Sequence, residues 1–196
     1  ALRRPRDAQE YRRFIEDALD STRQLKQLAE DLLALARVGS EEADARAVVT
    51  LVDCVRDAAR WTARAAAERR VTVSITGEAP AVLGHGRDLA RMLRNLFDNA
   101  LAHAPEGSTL DVQITQDAAQ VSIAVTDHGP GVSTEDRARI FDPFYRGARE
   151  RAEDDGGSGL GLAIAREIAR AHGGDVTLDA AVTGGARVVV TLPRAG

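Results

Sequence analysis

Asn95 and Asn99 stand one helical turn apart in the stretch Arg91-Met92-Leu93-Arg94-Asn95-Leu96-Phe97-Asp98-Asn99-Ala100-Leu101-Ala102-His103. Residues at this spacing share one flank of a helix, and His103 follows one turn further on. An amide oxygen is a hard ligand that suits Mg²⁺, while the amide NH₂ can donate to a phosphate oxygen. Mg²⁺ takes few protein ligands and keeps waters and nucleotide phosphates for the rest. The bland alternative is a pair of solvated asparagines, although Asn is only a fair helix former.

A second group is Asp127-His128-Gly129-Pro130-Gly131. Asp127 has the parity of Val121, Ile123 and Val125, so it should point inward at the end of a strand. A carboxylate there is costly unless something donates to it, and an adenine amino group is a suitable donor. Gly129 and Gly131 let the backbone pass close to a flat ligand. Taken alone, these five residues read equally as an Asp-Gly turn. The third group is Gly157-Ser158-Gly159-Leu160-Gly161-Leu162, which opens a helical pattern. Free N–H groups at a helix start attract phosphate. The pattern fits neither the dinucleotide fingerprint nor the P-loop, and on its own it would read as a linker.

These groups need elements to hold them. Residues 7–38 read as one long helix, with Tyr11, Ile15, Ala18, Thr22, Leu25, Ala29, Leu32 and Ala36 forming an apolar seam. A second line, Phe14, Leu28 and Leu35, widens it. Ser40 to Arg46 is a polar connector. Helices are expected over Thr50–Arg69, Arg87–Ala104 and Leu160–His172, with a short one after Ser133 capped toward Asp136. Period-two alternation predicts strands at Val71–Thr76, Leu110–Ile114, Val121–Val125, Asp175–Asp179 and Ala186–Leu192. Residues 149–158 read as a mobile polar loop.

Composition narrows the classes. The 196 residues carry 26 Lys and Arg against 30 Asp and Glu, a net charge of −4, which argues against a nucleic-acid binder. One cysteine, Cys54, excludes an internal disulfide and a multi-cysteine zinc site. Apolar runs are far shorter than the roughly 20 residues of a membrane helix. Aromatics are only 4%, so the core must be built from Val, Leu, Ile and Ala.

With Phe141-Asp142-Pro143-Phe144-Tyr145-Arg146-Gly147 added, the order of these groups resembles the catalytic domain of sensor histidine kinases. Asn95 to His103 is similar to the family's N box, Asp127 to Gly131 to its G1 box, Phe141 to Arg146 to its F box and Gly157 to Gly161 to its G2 box. The likeness covers residues 50–196, and Leu28 to Arg37 resembles the second helix of the dimerisation and phosphotransfer domain. The resemblance implies an α/β fold of the GHKL or Bergerat type, a two-layer sandwich of a mixed sheet packed on helices. It divides the chain into a dimerisation helix, 1–40, and an ATP-binding catalytic domain, 41–196.

The resemblance also implies ATP and Mg²⁺ as cofactors. Asn99 would bind the metal and Asn95 would hold phosphate or metal-bound water. Asp127 would take the adenine amino group, with Gly129 and Gly131 lining the base and His103 beside the nucleotide. Phe144 would pack beneath the lid, and Arg146 would approach the phosphates. Gly157, Gly159, Leu160 and Gly161 would hinge and shape the lid. Ala102 stands where many members have a phosphate-facing Lys, so Arg146 or Arg149 would share that charge. His85 replaces an Asp that often precedes the N-box helix, which reads as a change of cap.

None of His85, His103, His128 and His172 has the family's phosphoacceptor context, and His128 and His172 read as solvated. The implied acceptor therefore lies on a helix outside these residues. The implied partners are that helix, a second subunit bound through residues 11–36 and a cognate response regulator. The implied setting is the cytoplasmic portion of a membrane-anchored sensor. Two other readings stand beside it: an ATPase of the same fold, and a non-enzymatic dimerisation module with a vestigial nucleotide pocket. The ATPases carry a Glu base one turn before the metal-binding Asn. Asn95 occupies that place here and cannot act as a base.

Overall fold

Leu110, Val112 and Ile114 alternate with polar residues, as do Val121, Ile123 and Val125, and these two runs form the centre of a sheet. In the computed structural model, which describes residues 8–37, 46–78, 81–147, 157–180 and 184–195, they become β4 (Thr109–Gln116) and β5 (Gln120–Thr126). The two strands are antiparallel, with Ile114 opposite Ile123. Asp117 closes their hairpin. Its Oδ1 accepts the N–H groups of Ala119 (2.7 Å) and Gln120 (2.8 Å), which hold its carboxyl below the usual range.

β2 (Thr72–Thr76) lies parallel to β4. β7 (Arg187–Pro193) runs antiparallel to β5, and β6 (Asp175–Leu178) lies outside it, giving the order β2-β4-β5-β7-β6. The sheet is therefore mixed, as expected. Pairing puts Val112, Ile114, Ile123, Val125, Val188 and Val190 on one face. That face merges into a single core with α2 (Leu51–Glu68), α3 (Gly86–His103) and α4 (Gly161–Ala171). Asp111, Gln113, Ser122 and Thr191 have the opposite parity, so the architecture is a two-layer sandwich. Leu93, Phe97, Ile164 and Ile168 are at most 1% exposed, each a burial of about 1.5–3 kcal/mol.

The end of α3 is held from outside. Arg69 donates through Nη1 to the carbonyls of Leu101 (2.7 Å) and Ala102 (2.8 Å), and through Nη2 to that of Ala104 (3.0 Å). These are the carbonyls a helix end leaves without intrahelical partners. α1 (Ala8–Arg37) is the long first helix. Leu28 packs on the core, while Tyr11, Phe14, Ile15, Leu25 and Leu32 stay exposed. No helix among the described residues is long and apolar enough to cross a membrane.

Four local readings are corrected. β1 (Ala47–Thr50) and β3 (Ala81–Gly84) form a separate antiparallel pair, with Val48 opposite Leu83. Each is four residues long, too short to show a period. Thr50 consequently ends β1 and becomes the N-cap of α2 without a side-chain cap bond. The short helix expected after Ser133 is a run of hydrogen-bonded turns. Ser133 Oγ accepts the Asp136 N–H (3.1 Å) and donates to Asp136 Oδ2 (2.6 Å), as a cap should. Pro143 lacks an N–H and disfavours helix at Asp142, so the turns do not propagate. Residues 149–156 of the expected mobile loop lie outside the described residues.

The fourth correction concerns His172, which is buried rather than solvated. Its Nδ1 donates to the Ile168 carbonyl (2.7 Å) and its Nε2 accepts the His85 N–H (3.0 Å), which requires a neutral ring. His85 sits at the N-cap of α3 and gives it no side-chain cap bond. Burial pushes the His172 imidazole below its ordinary 6.5, with Asp88 opposing and His85 and Arg46 adding to the shift. The folded chain thus resists a proton that the unfolded chain accepts. Stability should be intact above about pH 6.5 and fall as the pH drops toward the folded value. Urea titrations between pH 7.5 and 5 measure this, and His172→Gln should flatten the slope. Equal slopes in both proteins would remove His172 as the cause.

Candidate functional site

One flank of α3 faces the core and the other faces open space. Asn95, Asn99 and His103 lie on the open flank and border a cavity of about 890 Å³. Asp127, at the end of β5, and Gly131 form a second wall, and Gly157, Gly159 and Gly161, leading into α4, form a third. The three groups picked out in sequence thus converge on one site.

Asp127 is 3% exposed. Its N–H donates to the Ala186 carbonyl (3.0 Å), which extends the β5–β7 ladder by one residue. Its Oδ1 accepts the N–H groups of Gly129 (2.8 Å) and Ala186 (3.3 Å). Among the described residues no donor meets Oδ2, which leaves that oxygen to the cavity that Asp127 borders. A carboxylate so placed calls for a ligand donor.

Asn95 Nδ2 donates to the Gly161 carbonyl (3.1 Å), tying α3 to the start of α4. This leaves its Oδ1 as a hard oxygen ligand, and Asn99 borders the same cavity. Asp98 also borders the cavity, and desolvation by the neighbouring protein pushes its carboxyl up, with Arg94 opposing. Arg94 in turn lies over the exposed Trp61 ring at 4.7 Å. Arg146 borders the cavity, whereas Arg149 is outside the described residues.

Three expected residues sit elsewhere. Gly129 is behind Asp127 rather than on the wall, and a Cβ there would come 2.4 Å from the His103 carbonyl oxygen. The Phe144 ring is 59% exposed and does not pack beneath the glycine-rich run. Its φ is +64°, and its N–H donates to the Gly159 carbonyl (3.0 Å). Gly159 itself has φ +68°, and a Cβ would sit 2.9 Å from the Tyr145 carbonyl oxygen. Leu160 is 0% exposed and belongs to the core, the apolar peg between two cavity glycines.

Aromatic and charged contacts fasten the Phe141–Gly147 segment. Tyr145 Oη donates to Asp136 Oδ1 (2.5 Å), and the Arg139 guanidinium covers the Tyr145 ring at 4.3 Å. Arg166 lies over Phe141 at 4.9 Å and forks onto both Asp175 oxygens (2.8 and 3.1 Å), which draws the Asp175 carboxyl down to about 2. Asp31, Asp136 and Ala186 were not expected at the cavity. Asp31 reads as an exposed position of an amphipathic helix, Asp136 as part of a cap, and Ala186 contributes only backbone. The Ser133/Asp136 spacing was the one signal available.

The described residues hold no cluster of three or more His, Cys, Asp and Glu able to bind a metal. Mg²⁺ bound mainly through phosphates and waters would need none, and the amide oxygens of Asn95 and Asn99 suit it.

Residues 84–196 match the family described as histidine kinase-, DNA gyrase B-, and HSP90-like ATPase. The sensor protein IrlS of Burkholderia pseudomallei is 38% identical over 186 residues, covering 91% of this chain and 39% of the relative. The sensor-like histidine kinase SenX3 of Mycobacterium tuberculosis is 33% identical over 190 residues, covering 95% of this chain and 46% of the relative. The chain thus spans less than half the length of either. Full-length ShkA, solved in complex with AMPPNP, superposes with a TM-score of 0.78 at 26% identity, covering 95% of this chain and 40% of that one. The chain belongs to the histidine kinase-, DNA gyrase B- and HSP90-like ATPase family, and its domain is the ATP-binding catalytic type of the sensor histidine kinases.

Proposed function

We propose that this chain binds Mg²⁺-ATP and directs its γ-phosphoryl group to a histidine on a helix outside these residues, for relay to a response regulator. The observation that carries the reading is Asp127: a buried carboxylate with one oxygen filled by backbone N–H groups and the other left to the cavity. An adenine amino group is the donor that completes it. His103 and Gly131 would border the nucleotide, and Arg146 would approach the phosphates. Gly157, Gly159 and Gly161 would let the lid close.

Mg²⁺ would neutralise phosphate charge, with Asn99 as its protein ligand and Asn95 ordering phosphate or a metal-bound water. Phosphoryl transfer asks the protein mainly for such positioning and charge compensation. Asn95 has no basic group to activate water, which favours transfer over hydrolysis. The domain division near residue 40, the cytoplasmic setting and the membrane-anchored parent belong to the same proposal.

Asp127→Asn keeps the shape but places an NH₂ where an acceptor was. A hydrogen bond to a charged group is worth about 1.5–3 kcal/mol, so ATP should bind about 10- to 150-fold more weakly. Calorimetry decides, and unchanged affinity would sink the assignment. Asn99→Ala should erase the Mg²⁺ dependence of nucleotide binding and, in a longer chain carrying the acceptor helix, abolish phosphotransfer. Retained transfer would remove Asn99 as metal ligand.

The exposed seam of α1 should pair with a second copy. Leu25→Glu with Leu32→Glu should shift the chain to monomer in light scattering while ATP binding persists. An unmutated chain that is monomeric at high concentration would contradict this.

A further inference from the structure

Asp31 belongs to α1, yet it lies on the border of the nucleotide cavity and is 5% exposed. Its Oδ1 accepts from Arg91 Nη2 on α3 (3.0 Å), and its Oδ2 accepts from Ser158 Oγ (3.1 Å). Arg91 Nη2 also reaches the Glu30 carbonyl (3.0 Å), so one guanidinium grips both backbone and side chain of α1. Ser158 lies between Gly157 and Gly159 in the run that walls the cavity, and its Oγ accepts the Leu160 N–H (3.3 Å).

This arrangement sets α1 against a phosphate. A serine hydroxyl has one proton to donate, and here it goes to Asp31. Arg91, a cation close to the same wall, is engaged by the same carboxylate. Asp31 also brings a buried carboxylate, paired with Arg91, to the cavity that Asn95, Ser158 and Gly161 line. A helix start favours anions, whereas a neighbouring carboxylate repels them.

We propose that Asp31 is an acidic gate on the nucleotide site: with α1 docked, it holds the glycine-rich run through Ser158 and opposes the entry of phosphate. The proposal rests on the nucleotide reading of the cavity. Triphosphate binding and α1 docking then oppose one another, and by linkage each weakens the other by the same factor. Apolar packing through Leu28 keeps α1 docked when the site is empty. The gate acts on phosphates and leaves the base alone, so its effect must grow with the number of phosphates.

Calorimetry with adenosine, ADP and ATP, with and without Mg²⁺, tests this on the unmutated chain and on Asp31→Asn. Asp31→Asn should bind ATP about fivefold or more tightly, the low end of site-to-site coupling, with a smaller gain for ADP and none for adenosine. Amide exchange of residues 25–33 in the unmutated chain needs no variant, and it should quicken when ATP is added. Unchanged or weaker ATP binding by folded Asp31→Asn, an equal gain for adenosine, or slower exchange with ATP would each overturn the gate. Asp127→Asn separates the two levels. If it loses ATP while Asp31→Asn gains nothing, the gate alone fails. If ATP binding ignores both changes, the nucleotide reading fails with it.

Discussion

A carboxylate buried at the end of a strand has to be satisfied, and much of this structure is arranged around Asp127. Pairing of β5 with β7 brings Ala186 alongside, so its carbonyl and N–H both reach Asp127. The absence of a side chain at Gly129 lets the backbone fold back and deliver a second N–H to the same oxygen. The fold therefore pre-aligns one carboxylate oxygen with backbone dipoles and leaves its twin for a ligand. Such alignment is made during folding, so a nucleotide need not spend binding energy on it.

α3 links that fixed point to the other walls of the site. Its inner face, with Leu89, Leu93, Leu96 and Phe97, is locked in the core, and Arg69 holds its last carbonyls. Its outer flank meets three partners. Asn95 reaches the start of α4, His103 lies against Gly129, and Arg91 reaches α1. The glycine-rich run is thus tethered at both sides, by Asn95 to α3 and by Phe144 to the segment that Asp136 and Arg166 fasten.

Much of this was legible in the sequence. Period two and period 3.6 located the five central strands and the main helices, and strand parity alone pointed Asp127 inward. The failures have physical causes. β1 and β3 are too short to display a period, and each is a strand only because it has the other. Leu160 looks like part of a flexible glycine run, yet its own side chain anchors that run in the core. Phe144 reads as a packing aromatic, but it takes a positive φ and stays exposed, which sequence does not encode locally. His172 ends a helix beside two glycines, and its burial depends on His85 arriving from 87 residues away. Asp31 carries no local sign of its role, because a solvated helix face and a contact with a distant serine look alike.

The central claim is that Asp127 recognises the adenine amino group through an oxygen reserved for it. Calorimetric comparison of ATP with inosine triphosphate tests this most directly, since the two differ at that group, where inosine carries a carbonyl. A carbonyl facing the carboxylate repels it, so ATP should bind about tenfold or more tightly than inosine triphosphate at the same Mg²⁺ concentration. Equal affinity for the two nucleotides would contradict the account.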